Sequence, residues 1–590
     1  MTDVSPTDPA EPSAEPLNPL NLLHPLHPGT AVAPQRISCD STSVIPGVAT
    51  TSRIPIDIRR FPWIRPLVAD YAFDHAKVAD FFAGDPRDPH AWREAIGRAR
   101  AQPRSRDAIA DVVRAQQQGR GAPPQALEAG ARLRDPQTVA VVTGQQAGLF
   151  GGPLFTLLKA LTAIELANTL RDQHGVSAVA IFWIDAEDHD WDEVKSCGVL
   201  DGSLAHRTIA IGNPPGAQVE PVARVRLDAS IGNALAELVA TLPETEFTAS
   251  MLETLRAAYD PGVGMADAFG RWMESVLGSR GLVVYNSADP AAKPLAAALF
   301  AREIERAGET ARLAADAGAA MESRGYTAQV TPHPDTVALF HLNNGRQPIR
   351  VHGDGFLVGD GVESRKALLD RVLQAPDEFS PNVLLRPVVQ DTLFPTVCYV
   401  AGPNELAYLG QLRGVYEAFG VPMPLMSQRG TATLLDANAA RFLVRHDMAL
   451  EQLQAQDEGV LNQLLASQLP PGVDAAMQDA TLLLQERMER LAENVAQIDA
   501  TLEGAARSAL GRMQDDLKKL QAKIIQAAKR KDETLRRQFR HVQAQAFPGG
   551  APQERAVGFV HFLNKYGPVL IDRLLEEMPA DMGVHWVITP

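Results

Sequence analysis

The segment Thr138-Val-Ala-Val-Val-Thr-Gly-Gln-Gln-Ala-Gly-Leu-Phe-Gly-Gly152 joins a β-branched run to a glycine-rich loop. The run at 138–142 is typical of a strand buried in a parallel sheet. Residues 156–170 then repeat apolar side chains at intervals of three and four, as an amphipathic helix does. A second apolar run occupies 178–184. The order strand, loop, helix, strand predicts a βαβ unit and therefore an α/β fold.

The rest of the N-terminal two thirds keeps this α/β character. Further apolar runs predict a buried strand, a smaller inserted strand pair and another strand–loop–helix unit. Ordered structure is expected to begin near Ile54. The predicted strands are 281–285, 336–342, 347–352 and 396–401, and the predicted helices are 74–82, 89–101, 290–317 and 405–419.

From about residue 431 the composition changes to Ala, Leu, Gln, Glu and Arg, and a heptad seam appears. Its apolar residues are spaced alternately four and three apart, which is the coiled-coil period. We predict one continuous helix over about 476–544, which needs a partner helix from this chain or from a second copy. Phe547-Pro-Gly-Gly550 would end it. The seam is Leu484, Met488, Leu491, Val495, Ile498 and Leu502.

These composition changes predict four regions along the chain. A Pro-rich stretch at 1–52 is expected to be a disordered tail, since it lacks periodic apolar residues. The α/β core is expected at 53–430 and the helical coiled-coil domain at 431–546. The last segment, 547–590, is expected to pack back on the body.

Charge and cysteine content exclude several classes of function. The 590 residues carry a formal net charge of −15, which repels phosphate backbones, so no nucleic-acid partner is expected. Cys39, Cys197 and Cys398 are far apart and form no CxxC pair, which argues against a metal or redox site. The sequence pattern predicts neither a signal peptide nor an apolar run long enough to span a membrane. We therefore expect a reduced, cytoplasmic protein without a membrane partner.

The glycine-rich loop is the first candidate site. Exposed backbone amides and the positive end of the following helix favour an anion there. Lys159 would add a positive charge, and Thr156 would cap the helix or contact a phosphate. A tight turn that needs glycine is the alternative, because the loop matches neither a Walker A motif nor GxGxxG. The candidate binding residues are Gly144, Gln145, Gln146, Gly148, Gly152, Thr156 and Lys159.

An acidic group, Asp185-Ala-Glu-Asp-His-Asp-Trp-Asp-Glu193, begins where the second strand ends. Ligands of open α/β sheets bind beyond the carboxyl ends of the strands, so this group and the loop are predicted to line one crevice. Carboxylates beside a histidine can orient an amine, act as a general base or bind a metal; a solvated helix cap is the alternative. No metal is predicted, because the spacing matches no metal motif. The candidate catalytic residues are Glu187, Asp188, His189 and Asp190.

Two later polar groups are candidates for holding a ligand. Arg386 lies among apolar neighbours, and arginine binds carboxylates or phosphates with two hydrogen bonds; a structural ion pair is the alternative. Residues 401–408 form a second glycine-containing strand–helix junction, where helix capping alone would explain the acidic residue. The candidate binding residues are Asn382, Arg386, Gln390, Asp391, Gly402, Glu405 and Tyr408.

In this order, the motifs resemble the bacillithiol synthase (BshC) family of cysteine-adding enzymes. The resemblance runs from about Ile54 to the end of the chain, and the N-terminal tail lies outside it. The motifs that carry it are 142–153 with Lys159, Phe182-Trp183 with Glu187-Asp-His-Asp190, Asn382, Leu385-Arg-Pro387, Gln390-Asp391, Gly402-Pro403 with Glu405 and Tyr408, Gln553-Glu-Arg555 and Lys565-Tyr-Gly567.

The resemblance implies a Rossmann-like parallel-sheet core with inserted connecting segments, and an α-helical coiled-coil domain that forms a homodimer. It also implies the last step of bacillithiol biosynthesis, which joins the carboxyl of cysteine to the amine of a glucosaminyl-malate. These two molecules would be the substrates, and Trp183 would belong to the binding residues. Because a carboxylate does not condense with an amine unaided in water, activation by a nucleotide is expected, with ATP or ADP in the site.

Three hypotheses follow. In the first, the chain is a ligase: the loop and Lys159 hold a phosphate, Glu187, Asp188 or His189 holds or deprotonates the amine, and Arg386 holds a carboxylate. In the second, it is a non-catalytic nucleotide-binding scaffold whose coiled coil recruits partners. In the third, the acidic group serves a metal-dependent hydrolase.

Overall fold

The computed structural model describes residues 53–590 except 344, 468–470, 500 and 532. The predicted tail at 1–52, with Cys39, lies outside the described residues. The described chain divides into two compact units whose segments alternate along the sequence. The first unit comprises 64–109 and 290–428; the second comprises 53–63, 110–289 and 429–590.

Among the described residues, helices alternate with short strands as far as residue 434, and helices dominate after it. The helices are α1 Pro66–Phe73, α2 Pro89–Ala101, α3 Arg106–Arg120, α4 Pro124–Ala131, α5 Leu154–Asp172, α6 Trp191–Val194, α7 Ser230–Thr241, α8 Thr248–Ala258, α9 Met265–Leu277, α10 Ala297–Glu305, α11 Glu309–Ser323, α12 Arg365–Gln374, α13 Arg386–Leu393, α14 Pro403–Leu409, α15 Arg413–Phe419, α16 Ala437–Arg445, α17 Gly459–Ser467, α18 Pro471–Val495, α19 Thr501–Lys531, α20 Glu533–Ala546, α21 Gln553–Ala556, α22 Phe559–Tyr566 and α23 Val569–Glu577. The strands are β1 Arg53–Asp57, β2 Val139–Gln145, β3 Ala178–Ile184, β4 Ser196–Leu200, β5 His206–Ala210, β6 Leu282–Asn286, β7 Thr336–Leu342, β8 Arg346–His352, β9 Gly355–Val358, β10 Gly361–Ser364, β11 Phe379–Pro381, β12 Thr396–Ala401, β13 Leu425–Gln428, β14 Thr431–Leu434 and β15 Val584–Ile588.

The second unit contains the predicted βαβ unit. β2 pairs in parallel with β3, and β3 pairs in parallel with β6. The connecting helix α5 buries every residue from Thr156 to Ile164, and all seven residues of β3 are buried. An apolar run without alternation is what a parallel strand covered on both faces requires. The strands predicted at 138–142, 178–184 and 281–285 are confirmed, as is the helix predicted at 156–170.

Two smaller sheets complete the second unit. β15 lies between β1, which runs antiparallel to it, and β14, which runs parallel. The C-terminal segment therefore pairs with the first described strand of the chain. β4 and β5 form an antiparallel hairpin just after the acidic group.

The first unit combines an antiparallel sheet with a parallel strand pair. Its sheet has the strand order β10-β9-β8-β7-β11. The strands predicted at 336–342 and 347–352 lie side by side in it, so the inserted strand pair is confirmed. β12, all of whose residues are buried, pairs in parallel with β13, which confirms the strand predicted at 396–401.

Three predicted helices are wrong in their extent. The helix at 290–317 is a 3-10 segment containing Pro294, then α10 and α11; Gly308, in the left-handed region with φ 87°, separates these two. The helix at 405–419 is divided into α14 and α15 by a turn that starts at Gly410. The helix at 74–82 is two 3-10 turns. Pro lacks an amide donor and Gly adopts left-handed backbone readily, so both interrupt an otherwise helical apolar pattern. The helix predicted at 89–101 is confirmed.

The continuous coiled-coil helix predicted at 476–544 is also wrong. α18 ends at Val495, and α19 begins at Thr501 and packs against α18 as a helical hairpin. Asp499 starts the new helix, because its Oδ1 accepts hydrogen bonds from Thr501 N and Thr501 Oγ1, both at 2.8 Å. The seam is therefore folded back on itself within the chain. In the part of the chain that the structure describes, no helix combines the length and apolarity needed to cross a membrane.

Candidate active site

The glycine-rich loop turns tightly between β2 and α5. Gly151 and Gly152 have φ of 95° and 76°, and a Cβ on Gly151 would lie 2.2 Å from the Phe559 ring. Phe150 also has a positive φ, 54°, and is fully buried with its ring edge-on to Tyr259 at 5.3 Å. Both packing and backbone conformation therefore require glycine here, as the tight-turn alternative expects.

The loop amides point largely inward. Gly148, Gly151 and Gly152 donate to carbonyls of the loop itself at 2.9 to 3.0 Å. Leu154, the first residue of α5, donates to the carbonyl of Val557 at 2.8 Å. These four donors are engaged within the protein and do not form the open anion cradle that the sequence predicts.

Lys159 and Thr156 lie in the first turns of α5, and both are buried. The ammonium of Lys159 donates to the carbonyl of Gly144 at 2.8 Å and to Gln145 Oε1 at 3.0 Å, so it secures the end of β2. The capping role predicted for Thr156 is wrong, because Pro153 occupies the N-cap position. Thr156 Oγ1 has no hydrogen-bond partner among the described residues.

Gln146 connects the loop to the acidic strand end. Its Nε2 donates to Asp188 Oδ2 at 2.7 Å, and the amide of Asp185 donates to the carbonyl of Gln145 at 3.0 Å. Gln146 is buried, and its Oε1 has no hydrogen-bond partner within the described chain. The two groups expected to face each other are thus in direct contact. We call Gln145, Gln146, Thr156, Lys159, Glu187, Asp188 and His189 the loop–acidic site.

The acidic residues play different structural roles. Glu187 is only 4% exposed, whereas the His189 side chain is part-exposed with its Nδ1 3.3 Å from Asp188 Oδ1. Asp188 Oδ1 also accepts from the amide of His189 at 2.8 Å. Asp190 caps α6 by accepting from the amide of Glu193 at 3.1 Å, which is the capping role named as the alternative. Within the described residues, no group of three or more His, Cys, Asp or Glu side chains could hold a metal ion.

The end of β6 contributes residues that sequence reasoning missed. Ser287 Oγ accepts from the amide of Ala186 at 3.3 Å, and the Ser287 amide donates to the carbonyl of Ile184 at 3.3 Å. The Tyr285 ring lies 5.2 Å from the Trp183 ring. Burial raises the pKa of Tyr285 well above its usual value, and the negative charges of Asp289 and Glu187 raise it further. The rule that ligands bind at strand ends, applied to 281–285 as well, could have identified these residues.

In the first unit, four predicted residues meet in one buried network. Arg386 Nη2 donates to the hydroxyl of Tyr408 at 2.7 Å. Glu405 Oε2 accepts from the amide of Gly402 at 2.6 Å, and its Oε1 accepts from the hydroxyl of Tyr399 at 3.0 Å. Glu405 therefore caps α14, as the capping alternative expects. Tyr399, missed from the sequence, links this cap to the core of β12.

Asp391 forms a second part of this network. Burial raises its pKa to about 6, although Tyr416 and Gln390 donate hydrogen bonds to it. The Tyr416 hydroxyl lies 2.6 Å from Asp391 Oδ2, and Arg104 donates to the Asp391 carbonyl at 2.9 Å. We call Arg386, Gln390, Asp391, Tyr399, Glu405, Tyr408 and Tyr416 the arginine–tyrosine cluster; Tyr416 and Arg104 were not predicted.

Asn382 and Gln390 differ in whether the side-chain oxygen already accepts hydrogen bonds from the protein. Asn382 Oδ1 accepts from the amides of Leu384 and Leu385 at 3.0 and 3.3 Å, so Asn382 fixes the turn before α13. Gln390 donates to Asp391 at 3.0 Å, and its buried Oε1 has no hydrogen-bond partner among the described residues. Gln390 therefore retains an acceptor for a ligand, whereas Asn382 is used by the backbone.

Comparison with known proteins agrees with this architecture. A family model described as "Bacillithiol biosynthesis BshC, N-terminal Rossmann-like domain" matches residues 53–430, and one described as "Bacillithiol biosynthesis BshC, C-terminal coiled-coil domain" matches 432–590. The chain belongs to the BshC family. A Rossmann-like domain followed by a coiled-coil domain, predicted from the sequence, is therefore confirmed.

Curated relatives resemble the chain over most of its length. Three of them, from Salinibacter ruber, Symbiobacterium thermophilum and Koribacter versatilis, are each named "Putative cysteine ligase BshC" and are each 34% identical to it. The alignments cover 90%, 88% and 88% of this chain and 97%, 96% and 97% of the respective relatives.

The BshC motif Gln553-Glu-Arg555 has a structural role in the second unit. The Gln553 amide bonds the backbone N–H and C=O of Leu434 at 2.7 and 2.8 Å and the carbonyl of Gln545 at 2.9 Å. Glu554 forms a buried ion pair with Arg429. The motif thus joins β14 to the end of α20.

Proposed function

We propose that this BshC-family protein is a ligase that joins the carboxyl of cysteine to the amine of a glucosaminyl-malate, as the last step of bacillithiol biosynthesis. The printed name of its relatives and the match to both BshC family models support a cysteine ligase. The structural support is the chemistry of the loop–acidic site, which is rich in hydrogen-bond acceptors.

The acceptors of the loop–acidic site suit an amine. The side-chain oxygen of Gln146, Oε1, is buried and has no hydrogen-bond partner among the described residues, and the Asp188 carboxylate lies 2.7 Å from Nε2 of the same amide. Glu187, the residue before Asp188, adds a second carboxylate. Thr156 Oγ1, on the helix that follows the loop, is a second buried oxygen without a hydrogen-bond partner among the described residues. An ammonium offers three donors and a positive charge, so it complements carboxylates and carbonyl oxygens. The two buried oxygens without a partner among the described residues, Gln146 Oε1 and Thr156 Oγ1, carry the assignment of the site to the amine substrate.

The reaction requires the ammonium to lose a proton before it attacks. The amine nitrogen then forms a bond to the cysteine carboxyl carbon and one C–O bond of that carboxyl breaks, so that overall the ammonium and the carboxylate yield the amide and one molecule of water. We assign proton removal to His189, since its imidazole is part-exposed and lies 3.3 Å from the Asp188 carboxylate. Glu187, nearly buried, would hold the ammonium in place.

The arginine–tyrosine cluster would bind a substrate carboxylate. Arg386 is buried, and the neutral Tyr408 hydroxyl accepts one of its hydrogen bonds at 2.7 Å. A guanidinium binds a carboxylate with two parallel hydrogen bonds.

The sequence predicts a nucleotide phosphate in the loop–acidic site, but the residues of this site do not fit one. Lys159 and the amides of Gly148, Gly151 and Gly152 bond to protein carbonyls or side chains, and the neighbouring carboxylates would repel a polyphosphate. ATP or ADP therefore stays a prediction from the resemblance.

We also propose that the hairpin of α18 and α19 forms a homodimer. Leu491, Ile498 and Leu502 of the predicted seam remain 46%, 81% and 40% exposed. Leu482, Leu483, Met513 and Leu520 are exposed on the same two helices. A second copy would cover this apolar surface. Sedimentation equilibrium should give twice the chain mass, and Leu491→Glu with Ile498→Glu should return the monomer.

The function is tested with purified full-length protein, cysteine and glucosaminyl-malate, in parallel reactions with ATP, ADP or no nucleotide. Mass spectrometry should detect bacillithiol in at least one reaction. His189→Gln should lower kcat by about 10²- to 10⁴-fold, which is the usual contribution of a general base. Asp192→Asn is the matched control, because Asp192 is an exposed carboxylate of the same acidic run. Folded protein that forms no product in any reaction would refute the proposal.

A further inference from the structure

A glutamine of α3 holds the turn that follows β6. Gln116 Oε1 accepts from the amide of Asn286 at 2.8 Å, and its Nε2 donates to the carbonyl of Asn286 at 3.2 Å. The same Nε2 donates to Asp289 Oδ2 at 2.8 Å. A side-chain amide that pairs with both the N–H and the C=O of one residue replaces the backbone of a neighbouring strand. Gln116 thus fixes residues 286–289 at the end of the parallel strands.

This turn is hydrogen-bonded to the backbone that precedes Glu187. Ser287 Oγ accepts from the amide of Ala186 at 3.3 Å, and the Ser287 amide donates to the carbonyl of Ile184 at 3.3 Å. Ser287 and Ala186 are buried. The Ala186 amide also donates to the carbonyl of Ile184 at 2.9 Å, and the Ala186 carbonyl accepts from the amide of Ala223 at 2.9 Å. A shift of the turn would therefore loosen one of the contacts that place Ala186 and, with it, the next residue, Glu187.

The bonds of Gln116 point to function rather than to core stability. Gln116 is only part-buried, and its three amide hydrogen bonds all reach the 286–289 turn. Its neighbour Gln117 instead is fully buried and donates to the carbonyl of Ala126, within the helical layer formed by α3 and α4. Gln116 thus binds the 286–289 turn, whereas the adjacent Gln117 binds the helical layer.

We propose that Gln116 is a positioning residue for the reaction. It holds the 286–289 turn, and through Ser287 it sets the position of Ala186 and Glu187 in the loop–acidic site. The inference rests on the proposed function, in which Glu187 holds the substrate amine. Misplacing a group that orients the reacting atoms lowers turnover more than it lowers binding of the other substrate.

The test exchanges donors and acceptors between Gln116 and Asp289. Gln116→Glu keeps an acceptor for the Asn286 amide but places a carboxylate oxygen against the Asp289 carboxylate. Adding Asp289→Asn restores a donor–acceptor pair with the direction reversed. Gln118→Glu is the matched control, since Gln118 is exposed on the same helix and receives the same change of charge.

We expect Gln116→Glu to lower kcat about tenfold with KM for cysteine unchanged, Gln118→Glu to behave as wild type, and the double substitution to recover most of the loss. Hydrogen exchange of the ligand-free protein should be faster over 184–188 in Gln116→Glu and should return in the double substitution. Unchanged kcat and unchanged exchange in Gln116→Glu would overturn the proposal, as would a failure of the double substitution to recover either. If the wild-type chain forms no bacillithiol, the proposed function fails, and the exchange results alone decide for or against the positioning role.

Discussion

The buried ion pair between Arg429 and Glu554 permits a sharp prediction about stability. Arg429 Nη2 lies 2.5 Å from Glu554 Oε1, and Arg429 Nη1 lies 2.8 Å from Glu554 Oε2. The two side chains are 2% and 10% exposed. Glu554→Gln keeps the shape of the side chain but removes the negative charge, so it leaves the guanidinium charged inside the unit.

Removing one partner of such a pair costs about 3–5 kcal/mol, because the remaining charge is neither solvated nor compensated. Arg429 keeps its bond to the carbonyl of Gly430 at 3.0 Å and lies 5.5 Å from the centre of the Phe155 ring, which reduces the loss to the lower end of that range. We therefore expect about 3 kcal/mol, a large part of the roughly 5–15 kcal/mol that stabilises a typical protein.

The assay is urea unfolding followed by circular dichroism, with Glu486→Gln as the control. Glu486 pairs with Arg490 one helical turn away, but the two side chains are 53% and 59% exposed. The control should lose only about 0.3–0.5 kcal/mol. Equal losses in the two variants would refute the reasoning that burial sets the cost. Replacing both partners with apolar residues, Arg429→Met with Glu554→Leu, should recover most of the stability.

The pH dependence gives an independent check of this pair. Burial alone would raise the pKa of Glu554, but the charge and hydrogen bonds of Arg429 outweigh burial and hold that pKa below its usual value. The contribution of the pair is therefore fully present above the unfolded pKa and is lost as pH falls through the folded one. Glu554→Gln should remove this acid-side loss of stability.

Three further predictions concern other parts of the molecule. Gly151→Ala should lower stability by at least about 2 kcal/mol, because φ is 95° and a Cβ would overlap the Phe559 ring; an unchanged melting temperature by calorimetry would contradict this. Burial raises the pKa of Glu303 from 4.5 to about 7, so the protein should lose stability as pH rises between these values, and Glu303→Gln should flatten the change in melting temperature between pH 5 and pH 8. Tyr408→Phe removes the acceptor 2.7 Å from Arg386 Nη2 and should lower the free energy of unfolding in urea by about 1–3 kcal/mol; an unchanged free energy would show that this hydrogen bond is not a stabilising contact.

Local patterns in the sequence were sufficient for the elements that build the core. The apolar run of β3 and the three–four spacing of α5 predicted their types and nearly their bounds, because secondary structure leaves a period of its own along the chain. The position of the acidic group after β3 followed from the same pattern. The heptad seam predicted a coiled coil correctly as a class, but not the turn at Asp499, where a local cap outweighs a continuing apolar period.

The partners of the polar side chains were decided by tertiary structure alone. The sequence offered Lys159 as a charge for an anion, but packing buries it against the carbonyl of Gly144. Gln116 and Asn286 are 170 residues apart, and Arg429 and Glu554 are 125 apart. Periodicity describes how a segment meets the core, whereas a buried donor or acceptor must be satisfied by whichever group the fold brings within about 3 Å of it. That group leaves no trace in the local sequence, so core elements such as β3 and α5 were predictable and the loop–acidic site was only partly so.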